Sequence, residues 1–508
     1  MKIDKKYRIG TTPVEGFYNN VDFCVGTGRM GLALQKEYQE QLAFVQKYIG
    51  FQHIRGHGLF HDDMAIYQEN REKFFDPESP VHREYNFTYL DFVMDSYREV
   101  GLKPFIELGF MPKKLARGEN KVFYWQGHTS PPKDYELWKD LVKATLRHLI
   151  ERYGADEVVT YPVEVWNEPN LWGFWEKADM QEYFKLFDES FAAVKEVDPR
   201  FKVGGPAVCG GSDELWISSF MAHCKEKGIT PDFITRHHYT TEQPDRVGHY
   251  VYQELMDPEA GFANLKTTRD IIDGYPEYNG LPIHITEFNT SYSPDNPLHD
   301  TNQNAAFLCH QLSRLGDVNE SYSYWTFGDI FEENGVPFAP FYGGFGLVAN
   351  GCIPKPTFWS FVFFKDIKGA TCVHRSDECV VVKDGDTYKG IIWNSNRTRE
   401  GKELHIELTL PASGDLCLIE KTVDEKTCNP QKLWHDMGEP RSLSPAQKDL
   451  LRASAYPLIT SSRVSATGEL TLSFDLDEFA VKYFTLTPAP LTPDRGFDYD
   501  RAIRANVK

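Results

Sequence analysis

Between about residue 17 and residue 366 the chain alternates eight times between a short apolar run and a longer amphipathic one. The runs that read as strands are Val21–Val25, His53–Gly56, Pro104–Leu108, Val163–Trp166, Lys202–Gly205, Phe233–His238, Ile283–Thr286 and Ser321–Thr326. Between them lie stretches such as Leu34, Tyr38, Leu42, Val45 and Ile49, spaced as one face of a helix. Trp138–Tyr153, Met180–Val197 and Asn302–Leu315 read the same way, and Pro356–Lys365 closes the series. Eight strand–helix pairs are the count of a (β/α)8 TIM barrel, here expected over residues 14–366.

The pattern then changes. Short alternating runs such as Cys379–Lys383 and Tyr388–Trp393, joined through Asp384-Gly385-Asp386, predict a hairpin. Leu404–Leu410, Leu416–Thr422, Glu469–Phe474 and Ala480–Leu486 extend it into an all-β module over 367–508, expected to be a sandwich. Ser444–Ala455, opened by Ser444-Pro445, reads as a helical insertion, and residues 1–13 are candidates to add a strand. From Pro488 the tail is Pro-rich and polar, without periodicity.

Charge narrows the range of partners. Lys and Arg number 55 against 74 Asp and Glu, a net charge of −19, which disfavours nucleic acid and anionic membranes as partners. An acidic polysaccharide is disfavoured for the same reason, whereas an aromatic content of 14% suits neutral carbohydrate. No apolar run is long enough to span a membrane, and the N-terminus has no secretory h-region. Nine scattered cysteines without a C-x-x-C pair are expected as reduced thiols in a cytoplasm. Composition leaves open whether the chain forms a homo-oligomer.

Two carboxylates fall where barrel chemistry is done. Val163–Asn170 reads V-E-V-W-N-E-P-N. Proline cannot donate to a sheet ladder, so the fourth strand ends before Pro169 and leaves Asn167 and Glu168 at its C-terminal rim. A Glu between Trp166 and Pro169 meets little water, which raises its pKa and keeps a proton available near neutral pH. A general acid needs that, although a rim Glu paired with a cation would give the same pattern. Glu287 ends the seventh strand in L-P-I-H-I-T-E-F-N-T, from Leu281. Two such carboxyls about 5–5.5 Å apart serve a retaining glycosidase as acid/base and nucleophile.

W-N-E-P-N at 166–170 and H-I-T-E-F-N-T-S-Y-S-P at 284–294 resemble the acid/base and nucleophile motifs of glycoside hydrolase family 39, on the β-xylosidase side rather than the α-L-iduronidase side. Similar stretches begin at Cys24, Ile54, Pro104, Gly204, Arg236 and Tyr324, so the resemblance spans nearly the whole chain. It implies an exo-acting β-D-xylosidase on xylo-oligosaccharides, without a cofactor or metal. It also implies Glu168 as acid/base and Glu287 as nucleophile. Asn167 would hold the sugar 2-hydroxyl and Tyr239 would bond Glu287. His57, His237 and either Glu332 or Glu333 would face sugar hydroxyls, and Trp325 would form an apolar wall. His238 departs from the family pattern, and its side chain is expected to point away from the pocket.

Four other readings fit the residues less well. Gly26-Thr-Gly-Arg-Met-Gly is a G-x-G-x-x-G after a strand, but the second strand ends in Arg55 and His57 with no acid for a ribose, so a tight turn under the pocket is the simpler account. No H-E-x-x-H or Cys/His cluster supports a metal. An α-L-iduronidase or α-L-arabinosidase would keep both glutamates, and a uronate specificity should add basic residues, of which only Arg55 falls near the pocket. A non-catalytic carbohydrate-binding barrel would have no need of intact Glu168 and Glu287.

Overall fold

The computed structural model describes residues 2–490 and 496–504. Eight parallel strands close into a barrel: β1 (Cys24–Thr27), β2 (His53–Gly56), β3 (Lys103–Leu108), β4 (Val163–Val165), β5 (Val203–Val208), β6 (Phe233–Tyr239), β7 (Ile283–Asn289) and β8 (Ser321–Tyr324). Each is followed by a helix on the outside, from Lys36–Tyr48 after β1 to Pro356–Asp366 after β8. The helix expected over Met180–Val197 occupies those residues and turns Tyr183, Phe184, Leu186, Phe187, Ala193 and Val194 inward. Its start is fixed by Asp179, whose side chain accepts from the backbone N–H groups of Gln181 and Glu182.

Strand alternation sorts the barrel interior into layers. Val163, Val165, Ile106, Leu108, Ile234 and Ile285 face the helices and form one continuous core with them. At the bottom of the barrel Phe23 stacks on His284, and Phe105, Phe233 and His284 meet edge to face. Above them, Arg55, Glu107 and Glu164 form a fully buried charged layer. The site lies on top of it.

Two irregularities re-aim side chains at the rim. The β6–β7 pairing slips between Arg236↔Ile285 and His237↔Glu287, so Thr286 and Glu287 both turn toward the barrel interior. The β5–β6 pairing slips at Ala207, which takes a positive φ of 53° and accepts the backbone N–H of Glu168 at 2.9 Å. Trp166 and Glu168 also lie in the left-handed region, at φ 73° and 43°. That conformation costs a non-glycine residue free energy and is held here by its neighbours.

Beyond the barrel, six strands from Thr371 to Pro488 and the N-terminal strand Lys2–Arg8 are hydrogen-bonded into a seven-stranded sheet. Lys2–Arg8 runs parallel to Glu403–Thr409. Glu403–Val423 pairs along its length with Leu458–Leu476, so hydrogen bonding runs continuously through the module. The expected hairpin closes through Gly385-Asp386, with Gly385 at φ 57°. Within the insertion, the helix Pro445–Ser454 carries a capping box between Ser444 and Gln447, and a second helix, Pro430–Asp436, precedes it. Trp434 and Leu451 pack on Phe341 and Tyr342 of the loop after β8. Part of the tail lies outside the described residues; in the described part, Tyr499–Arg504 is helical, against the expectation of no regular structure.

Candidate active site

Arg55 fixes the floor of the site. Its Nε donates to Glu164 Oε2 at 2.7 Å, its Nη1 to Glu287 Oε1 at 2.7 Å and its Nη2 to Asn167 Oδ1 at 2.8 Å, with Glu107 Oε2 also 2.8 Å from Nη2. Glu164 completes its contacts with the Thr286 hydroxyl at 2.8 Å. One guanidinium thus serves three buried carboxyls, and burial pushes Glu107 up to about 8 despite Arg55 beside it. Because Arg55 donates to Asn167 Oδ1, the Asn167 amide nitrogen, a pure donor, is left for a ligand.

Glu168 and Glu287 face each other over this floor. Oxygens of the two carboxyls and a nitrogen of His237 all lie within 4.8 Å of one another. Burial pushes Glu168 up to about 7, against the pull of His57 and Arg55 and with a smaller push from Glu107. His237 Nδ1 lies 2.8 Å from Glu168 Oε1 and 3.4 Å from Glu287 Oε2. Burial takes its pKa down to about 4, so the ring is neutral, and facing two carboxyl oxygens Nδ1 carries the proton. The trio is close enough to surround a cation, but a nitrogen whose proton is held by Glu168 is not a metal ligand. Tyr239 donates its hydroxyl to Glu287 Oε2 at 2.7 Å.

The cavity above has a volume of about 660 Å³. His57, Asn167, Glu168, Tyr239, Glu287, Trp325 and Glu333 line it, as the sequence leads one to expect. His57 is neutral, its pKa brought down to about 4 by burial, with its Nδ1 2.8 Å from Glu107 Oε2 and its Nε2 3.5 Å from Glu287 Oε1. Trp325 packs against His57 with ring centroids 4.8 Å apart.

Three expectations are refined. His237 lies fully buried beneath the two glutamates rather than on the wall, its Nδ1 hydrogen-bonded to Glu168. Of the adjacent pair, Glu332 turns away to Arg29, 2.7 Å distant, and Glu333 faces the cavity. Burial and the charges of Glu287 and Glu168 push Glu333 well above the usual carboxylate range, an effect moderated by its partial exposure at the mouth. His238 alternates to the outer side of β6 and stacks on Phe288 and Tyr322, away from the two glutamates, although its edge borders a lateral part of the cavity.

The glycine fingerprint has a packing explanation. A Cβ on Gly26 would lie 2.4 Å from the Trp325 ring, one on Gly28 would lie 3.0 Å from Phe331, and one on Gly31 would lie 2.5 Å from Asp63. These glycines let the first loop pass under the pocket wall.

Phe123 and Phe174, from the loops after β3 and β4, were not foreseen and close the cavity with rings 5.2 Å apart. The backbone N–H of Tyr124 donates to the Glu333 carbonyl at 2.6 Å, bridging the loops after β3 and β8. Arg236 also lines the cavity but is neutralised by Asp213 at 2.6 Å, and no other Lys or Arg among the described residues lines it.

The sequence profile of glycosyl hydrolases family 39 matches residues 5–471. A β-xylosidase from Geobacillus stearothermophilus is 47% identical over 471 residues, 91% of this chain and 92% of that one. The human α-L-iduronidase is 23% identical over 451 residues, 76% of this chain and 64% of that one. Among solved structures, a monomeric β-xylosidase from Caulobacter crescentus CB15 superposes with a TM-score of 0.84 at 31% identity, covering 96% of this chain and 100% of that one.

Proposed function

Because the chain belongs to glycosyl hydrolase family 39, we propose that its cavity performs the retaining, exo-acting hydrolysis of β-D-xylosides, with xylo-oligosaccharides as substrates. The observation that carries this reading is the approach of Glu168 and Glu287 to within 4.8 Å, from strands β4 and β7, above an ion-paired floor. That separation suits a nucleophile and an acid/base acting from opposite sides of one anomeric carbon, and leaves no space for the water an inverting pair needs.

In the first step Glu287 attacks the anomeric carbon while Glu168 gives its proton to the glycosidic oxygen. The bond to the leaving sugar breaks and a glycosyl ester with Glu287 forms. Esterification removes the charge that balanced Arg55, whose field then favours Glu168 as a carboxylate. Glu168 next takes a proton from water, and the water oxygen displaces Glu287 from the sugar. Asn167 donates to the 2-hydroxyl, a bond that strengthens as the ring flattens, and His57 faces another hydroxyl. Tyr239 holds the attacking oxygen pair in line.

An exo action is in keeping with the Tyr124–Glu333 bridge, which ties the loops after β3 and β8 together beside the cavity. A uronate or sulfated sugar is disfavoured, because the cavity's cation is already ion-paired with Asp213. The nine free cysteines support a reducing, cytoplasmic setting, in which the substrates are imported oligosaccharides. A panel of nitrophenyl glycosides tests the reading: β-xyloside should exceed β-glucoside and α-L-iduronide by a wide margin in kcat/KM. Comparable values for xyloside and glucoside would show that the cavity does not exclude a C5 hydroxymethyl.

A further inference from the structure

His57 stands between two carboxyls: its Nδ1 lies 2.8 Å from Glu107 Oε2 and its Nε2 3.5 Å from Glu287 Oε1. Phe110, Phe123 and Trp325 pack against the ring with centroids 5.5, 5.8 and 4.8 Å away, which holds it in this orientation. A neutral imidazole carries one proton, so one of its nitrogens brings a lone pair to a carboxyl oxygen. That carboxyl must supply the proton itself, or two lone pairs oppose each other. We infer that Glu107 supplies it and is a positioning residue: its Oε2–H donates to His57 Nδ1, and His57 presents Nε2–H to Glu287 and to the sugar. The inference rests on the glycosidase reading of the same cavity.

Charge and hydrogen bonding separate the two carboxyls. Glu287 already accepts from Arg55 Nη1 and from the Tyr239 hydroxyl, each at 2.7 Å, as a carboxylate does. Glu107 is fully buried, and its Oε1 has no hydrogen-bond partner among the described residues. That oxygen lies against Gly109, where a Cβ would come within 3.3 Å of it. Ionised, Glu107 would leave part of its charge on an oxygen that nothing solvates, a cost the neutral acid avoids. Arg55, moreover, already serves Glu164 through Nε and Glu287 through Nη1, so a third anion would outweigh the one cation. Burial accordingly keeps the proton on Glu107 up to about pH 8.

Arg55 Nη2 also lies 2.8 Å from Glu107 Oε2, and a guanidinium has no lone pair to accept a proton, which leaves His57 Nδ1 as the acceptor. A hydroxyl at this point accepts from Arg55 and donates to His57 at once. Neither a carboxylate nor an amide can do both there. With Nε2–H, His57 donates to a sugar hydroxyl oxygen and meets the carboxylate of Glu287 with a proton. The opposite tautomer would turn a lone pair on the nucleophile and be repelled by it. Arg55, Glu164, Glu168 and Glu287 supply the other charges around the ring.

Nitrogen-15 NMR of the full-length protein labelled at histidine reads the tautomer directly, with His57→Gln identifying its signals among the 16 histidines. At pH 6 the parent should show Nε2 protonated and Nδ1 bare. The two should exchange as pH passes about 8, where Glu107 ionises and accepts from Nδ1 instead. Ionisation of Glu168 near 7 would shift both signals without exchanging them. Glu107→Gln keeps the shape, but its carbonyl must face Arg55, so His57 should carry its proton on Nδ1 at every pH. At pH 6 its kcat/KM on nitrophenyl β-xyloside should fall about tenfold, the worth of one hydrogen bond. Nδ1 protonated in the parent at pH 6, or parental signals unchanged in Glu107→Gln, would overturn the role of Glu107. Should that variant not fold, the exchange near pH 8 in the parent decides alone. The NMR needs no substrate, so a parent that hydrolyses no β-xyloside would overturn the xylosidase reading and leave the tautomer standing.

Discussion

Arg55 Nη1 lies 2.7 Å from Glu287 Oε1, and the same guanidinium holds Glu164 and Glu107, so the proposed nucleophile is anchored from below by a cation with no access to solvent. Arg55→Met leaves Glu164 and Glu287 buried without a counter-charge, and removing one partner of a buried pair typically costs about 3–5 kcal/mol. Urea denaturation should show a loss of that order. Adding Glu164→Gln should recover part of it, because one orphaned acid is then gone. Simply additive losses in the double variant would show that the layer is not electrostatically coupled.

Glu168 sits at about 7 because burial disfavours its charge. Its acid role requires the proton, so kcat/KM should decline as pH rises through about 7. The stability consequence has a definite sign. A carboxyl raised from an ordinary 4.5 costs the fold nothing below 4.5, costs progressively more up to about 7, and imposes its full penalty above that. The difference corresponds to roughly 3 kcal/mol at most. Glu168→Gln should therefore be inactive, no more stable than the parent at pH 4, and more stable at pH 8. Equal melting temperatures at pH 8 would contradict the buried-charge account.

Glu168→Ala removes the proposed acid but leaves the nucleophile. Dinitrophenyl β-xyloside needs little protonation, so it should still form the glycosyl-enzyme in a burst, followed by slow hydrolysis and a low KM. On poor leaving groups the loss should be at least the roughly 10²–10⁴-fold typical of acid/base groups. Azide entering the vacated space should restore turnover and yield β-xylosyl azide. Equal losses on good and poor leaving groups, with no azide product, would remove Glu168 from this role.

Two inversions at the anomeric carbon give net retention. Proton NMR of the first turnovers should show β-xylose before mutarotation, and an initial α signal would rule out Glu287 as nucleophile.

Much of this was legible in the chain because periodicity is a local property. The alternation of Val163 and Val165 about Glu164, and of Ile283 and Ile285 about His284, already fixes which residues face the barrel interior. Proline at 169 fixes where Glu168 falls. Glu107 and Glu164 were passed over, yet a lone acid inside an apolar strand was the signal that a buried cation must meet it. The choice between Glu332 and Glu333 was not legible, since it turns on Arg29, some 300 residues away in sequence. Phe123 and Phe174 act through long loops whose course depends on tertiary packing rather than period.

The exo action proposed for the cavity beside the Tyr124–Glu333 hydrogen bond has a kinetic corollary. A chain threaded into a tube can slide forward by one unit after each cleavage, but a chain end seated in a cul-de-sac cannot. The freed monosaccharide has to leave by the entrance its own polymer occupies, so the shortened remainder must dissociate before the next cycle. Degradation is then distributive: in a time course from xylohexaose the penta-, tetra- and trisaccharide should each accumulate in turn, and every chain in the population should shorten in step.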